Sequence, residues 1–228
     1  MGSSNKFRET LKTAKRRLAS GDFRSAIILL SRASEYTQDP NPIHRYPRGI
    51  VLHQYALNVA ELGDIHGAQH LFEAALAQIK SDDPIARAIL LRDFGNFELR
   101  QNNVVTARRR ITAALRLLDR IVEVTPRVEI EQIVTRGFLA RTNIESDPVG
   151  SLEILRELAA RLQGYKSNYE LDNLDWLIDY LPLSYERQRL TLRAMYLCAS
   201  VGNQKRAGEF GALLGGGKPL RGLYRFVL

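Results

Sequence analysis

A single cysteine, Cys198, stands among 228 residues. Alone it can form neither an internal disulfide nor a thiolate zinc cage, which fits a reducing compartment and leaves packing to supply stability. Long apolar runs are missing as well. The longest, Ala194 to Ala199, has six residues, far below the roughly 20 that a membrane-spanning helix needs. Residues 1 to 20 alternate charged and apolar side chains without the apolar block of a secretory signal, so a cytoplasmic protein is expected. Catalytic signatures are absent too: there is no Gly-rich phosphate loop, HExxH, CxxC or Gly-x-Ser-x-Gly elbow. The expectation is a protein that is not an enzyme and holds no cofactor or metal. His66 and His70 sit one helical turn apart with Glu73 nearby, but two imidazoles do not close a coordination shell. Their face lies opposite Ala68, Leu71, Phe72 and Ala75 and reads as solvated surface. Cys198, within Ala-Met-Tyr-Leu-Cys-Ala, reads as a small core residue.

The composition, 45% hydrophobic and 25% charged, is that of a folded chain able to offset its conformational entropy by burial. Its dominant feature is an internal repeat. Gly21, Gly63 and Asn102 are each preceded by a small residue seven positions earlier, namely Ala14, Ala56 and Gly95. Five positions after each comes Ala26, Ala68 or Ala107; nine after, Leu30, Phe72 or Ile111; twelve after, Ala33, Ala75 or Ala114. Small residues at these places let two antiparallel helices approach closely, and the large residue fills the gap to the next pair.

The pattern resembles the tetratricopeptide repeat (TPR) family, with its turn, its paired alanines and, in the second unit, Tyr55 beside the small residue. The resemblance covers residues 5 to 123 and implies an all-α fold, a right-handed α-solenoid of antiparallel helix hairpins. Successive turn residues lie 42 and 39 residues apart (63 − 21 and 102 − 63), longer than the family period of about 34. Helices are expected at about 5–20, 22–38, 46–62, 64–81, 84–101, 103–123, 126–145, 148–163, 168–181, 184–201 and 203–214. Pro40, Pro84 and Pro126 mark the ends of second helices. Beyond Pro126 the match weakens and the C-terminal half is irregular: Ser151, Leu155 and Leu158 replace the alanine set, and Gly202 and Ala207 partly restore it. Residues 1–214 read as one repeat domain, with 215–228 as a glycine hinge and an amphipathic C-terminal segment.

The resemblance also implies a function: first helices of such hairpins line a concave groove that holds an extended peptide or a partner helix. Mapping that groove selects His53, Leu57 and Ala60 on one first helix and Arg92, Asn96 and Arg100 on the next, with Arg136 as an extension. Arg92 and Asn96, one turn apart, match a basic residue and an Asn that in some members grip a partner's terminal carboxylate. The expected role is therefore that of a non-catalytic adaptor or scaffold with a protein or peptide partner.

Charge carries the alternative, a nucleic-acid-binding protein. Thirty-three Lys and Arg against 25 Asp and Glu give +8. Residues 1–20 sum to +5 and 103–127 to +4, whereas 61–86 and 146–181 each sum to −4. Arg8, Lys12, Lys15 and Arg16 form one basic stripe, and Arg109, Arg116 and Arg120, within about 40° on a helical wheel, form another. Neither stripe interleaves the aromatics that stack bases, so solvation of an outer face is the competing reading. In the last segment Leu220, Leu223, Tyr224 and Val227 are spaced i, i+3, i+4, i+7, opposite Lys218, Arg221 and Arg225. It is expected to dock on the terminal hairpin around Tyr196, Phe210 and Leu213, or on a second copy as a homodimer.

Overall fold

The computed structural model describes residues 2–20, 22–36, 42–79, 83–162, 174, 177–181, 185–200 and 202–214. Its helices are α1 (Gly2–Ala19), α2 (Phe23–Tyr36), α3 (Pro42–Glu61), α4 (Ile65–Gln78), α5 (Pro84–Arg100), α6 (Val104–Asp119), α7 (Pro126–Arg141), α8 (Pro148–Leu162), α9 (Tyr185–Ser200) and α10 (Gln204–Leu214). Among the described residues there is no strand. α3 begins four residues before the position expected for it, at Pro42 instead of about 46. Pro42, Pro84, Pro126 and Pro148 each open a helix. A first-turn residue needs no N–H donor, and the ring presets the helical φ. Most of the expected 168–181 helix, Pro40, and the 215–228 hinge and tail lie outside the described residues.

One joint recurs where a first helix passes into a second. The turn residue takes positive φ, +86° at Gly63, +63° at Asn102 and +80° at Gly202. The next residue's N–H then reaches the carbonyl five positions back: Asp22 to Arg17 at 2.9 Å, Asp64 to Val59 at 3.2 Å, Asn103 to Glu98 at 2.9 Å and Asn203 to Cys198 at 2.8 Å. This is the 6→1 closure of a helix C-terminus. The same residue starts the following helix. Asp22, Asp64 and Asn203 accept through Oδ1 from the N–H groups of Ser25, Gly67 and Arg206 at 3.2, 2.8 and 3.1 Å. Asn103 departs from this and donates Nδ2 to Glu98 at 3.0 Å.

The chain divides into two compact units, residues 1–131 and 132–227, with the division inside α7. In the first unit α1 packs on α2, α2 on α3, α3 on α4, α4 on α5 and α5 on α6, and α3 also touches α5. All twelve small and large positions of the repeat, from Ala14 to Ala114, are buried. Gly95 is there for contact: a Cβ on it would stand 2.6 Å from Ile111 Cγ1 and 3.1 Å from the Ala107 carbonyl. Phe72 anchors the centre, stacked on Phe94 at 4.8 Å and tilted against Phe97 at 5.4 Å. Arg87 of α5 donates to the Leu76 and Ile79 carbonyls at 3.3 and 3.1 Å, placing a cation at the end of α4.

In the second unit Ala140, Leu155, Ala159, Leu174, Leu177, Ile178, Leu181, Ala194, Cys198, Ala207 and Phe210 form one core. Ser151, Leu155 and Leu158 are buried, although they lack the alanine signature. α10 packs on α9. Cys198 is fully buried, as its context suggests, and burial, followed by the nearby Glu209 charge, pushes its thiol up to about 11.

Candidate functional site

The first helices α3 and α5 are brought side by side by charge. His53 Nε2 on α3 lies 3.0 Å from Asp93 Oδ2 on α5. Eight residues further along α3 (61 − 53), Glu61 accepts from Arg100 of α5. Both contacts run in the same chain direction, so the two helices are parallel there, as successive first helices of stacked hairpins must be. Leu57 and Asn96, midway between the two pairs on their respective helices, are partly exposed.

Arg92 is only 4% exposed, and its guanidinium is turned inward. Its Nε donates to Asp93 at 3.0 Å and its Nη1 to Glu131 of α7, which is also buried. Burial pushes the Asp93 carboxyl up, but Arg92, then His53, outweigh it and hold the group below its ordinary 3.8. His53 also rests against Phe72, 6.0 Å between centroids, so the network is seated on the aromatic core. Arg110 closes that core from α6: its guanidinium lies 3.6 Å from the Phe94 ring centroid and reaches Glu98 at 3.5 Å.

Of the groove residues selected from sequence, His53 and Arg92 meet at Asp93, Arg100 pairs with Glu61 further along the same two helices, and Asn96 lies between them on α5. Arg136 belongs to the second unit and is partly buried. Sequence reasoning named the cations and missed their partners Asp93, Glu131 and Glu61. A signal was present: Glu61 and Arg100, like Arg92 and Glu131, are 39 residues apart, the spacing between the second and third turn residues. Opposite charges one period apart sit on neighbouring first helices.

Arg8, Lys12, Lys15 and Arg16 are exposed along α1, and Arg109, Arg116 and Arg120 along and just beyond α6. The run Arg108-Arg109-Arg110 is therefore split, two outward and Arg110 over Phe94. His66, His70 and Glu73 are exposed on α4. Leu220, Leu223, Tyr224 and Val227 lie outside the described residues. No helix among the described residues is long and apolar enough to cross a membrane.

Neither a family model nor a curated protein matches the sequence. Solved structures do match the fold. One is a candidate kinesin light chain of Podosopora anserina with nearly identical TPR-like repeats, at 15% identity over 93% of this chain and 98% of that one, TM-score 0.56. PilF of Pseudomonas aeruginosa is 16% identical over 95% and 93%, and BtubC (BKLC) of P. vanneervenii 15% over 94% and 97%, each with a TM-score of 0.50. At these identities the likeness is one of fold. Among the described residues the chain folds as helices paired in hairpins, and this all-helical fold is similar to that of these TPR-like repeat structures.

Proposed function

We propose that this chain is a non-catalytic adaptor that holds a peptide or protein segment along the paired first helices α3 and α5. The observation that supports this reading is the pair of cross-helix contacts, His53–Asp93 and Glu61–Arg100, fixing two parallel helices with Leu57 and Asn96 partly exposed between them. A surface held in advance loses little freedom when a ligand lands on it. In this reading Asn96 and Arg100 contact the partner. Arg92 and His53 position the wall from beneath, since the Arg92 guanidinium is already engaged by Asp93 and Glu131. A carboxylate clamp of Arg92 with Asn96 would require an incoming anion to displace those carboxylates.

Capture with the full chain tests the reading, comparing Leu57→Lys with Asn96→Ala against a triple Arg109→Ala, Arg116→Ala, Arg120→Ala variant. The adaptor reading expects a captured protein that survives nuclease treatment, is lost with the first variant and is kept with the second. Capture that is mainly nucleic acid, falls steeply with salt and disappears with the triple variant would instead establish the basic stripes as the working surface.

A further inference from the structure

α9 has two apolar faces. Thr191, Ala194 and Cys198 point into the core of the second unit. On the opposite side Tyr185, Leu192 and Tyr196 are 81%, 41% and 68% exposed. At 100° per residue these three fall within about 40° of one another, and Cys198 stands about 220° from Tyr185. Arg189, also exposed, lies along the same stripe. The outer stripe of α6, by contrast, is Arg109, Arg116 and Arg120. Two exposed tyrosines and a leucine in register on one helix form a surface built to be covered.

The chain itself supplies a cover of the right pattern and reach. α10 turns back at Gly202 and packs on α9, and the described residues end with it at Leu214. Five residues, 215–219, separate that end from Leu220. Extended, they span up to roughly 17 Å, more than the 10 to 12 Å or so across a helix with its side chains. Leu220, Leu223, Tyr224 and Val227 have the spacing of one apolar helical face, with Lys218, Arg221 and Arg225 on the other. So short an amphipathic segment needs a surface to fold on. We propose that residues 218–228 dock in cis on the Tyr185–Leu192–Tyr196 face of α9, independently of the α3–α5 groove. The apolar side of the segment meets the tyrosines, and its cations stay in water, away from Arg189.

A double-mutant cycle in the full chain tests this. One variant carries Leu192→Ser and Tyr196→Ser, the other Leu223→Ser and Tyr224→Ser, and the third carries all four. The sites on α9 are exposed, and the tail sites follow the last described helix in the sequence, so the fold is retained in each. The proposal expects each pair to lower Tm by about 2 to 4 °C, and the fourfold variant to fall no further than either pair, because both remove the same contact. Additive shifts, or no shift from the tail pair, overturn it. A Tm that rises with protein concentration, together with a dimer mass that the tail pair abolishes, also overturns it, in favour of exchange between two copies.

Discussion

Removing the Arg92 guanidinium would break a buried ion pair with Glu131 and weaken the hold on Asp93. Arg92→Ala should therefore cost about 3 to 5 kcal/mol in chemical denaturation. Arg100→Ala removes a half-exposed cation, but its partner Glu61 has a side chain only 8% exposed, so it should cost about 1 to 3 kcal/mol, less than Arg92→Ala. Loss of binding in Arg92→Ala thus reports on folding before it reports on a groove. Asp93 adds a pH dependence of known sign. Its folded pKa is depressed, so its contribution is complete above the ordinary carboxylate range and is lost as pH falls through the lower folded value. The stability gap between the native chain and Asp93→Asn should shrink as pH falls below about pH 4. Cys198, with its thiol at about 11, should resist a thiol reagent at pH 8 until the second unit unfolds; rapid labelling of the folded chain would contradict its burial. Single-residue periodicity revealed which cations face the first-helix side. It could not reveal that Arg92 points inward, because that depends on carboxylates one full repeat away.

The joint between helices is a testable element. Asn102 is the non-glycine residue with positive φ among those described, a conformation that costs an L residue about 1 to 2 kcal/mol. Asn102→Gly should relieve part of that cost and raise stability by up to about 1 kcal/mol. Gly95→Ala should do the opposite, costing about 1 to 3 kcal/mol, because its Cβ would press on Ile111 and approach the Ala107 carbonyl. Both effects can be read from denaturation midpoints with unchanged m-values. Much at this scale was legible in the sequence. The small residues seven before the turn, and the residues five, nine and twelve after it, mark buried positions because residue size records how closely two helices approach. Ser151, Leu155 and Leu158 occupy equivalent buried places without the size signature. After α7 the chain spends residues 142–146 in turns and closes from the Asp147 N–H to the Asn143 carbonyl, four positions back instead of five, so the turn differs while the buried positions of α8 keep their offsets.

In repeat proteins each hairpin is stabilised chiefly by its neighbours, so protection should follow position in the stack. Within the first unit, amide exchange should be slowest in α4 and α5, around Phe72, Phe94 and Phe97, and fastest in α1, which packs principally on α2. Equal protection from α1 to α6 would mean that the unit opens only as a whole. The division inside α7 was not legible in the sequence, since continuous helical periodicity hides a change of packing partners along one helix. The recurring joint has a consequence for how such a chain can lengthen or shorten. Gly63-Asp64 and Asn102-Asn103 share one backbone closure, so excising residues 64–102 would splice Gly63 onto Asn103 and rebuild the same corner. The module that leaves is a second helix plus the next first helix, offset by half a hairpin from the unit that folds. The seam would close, but Ala56 would then face Ile111 in place of Gly95, and the methyl that suits Phe72 in its own pair would crowd its new neighbour. Corners here are interchangeable parts, while the faces between them are matched in pairs.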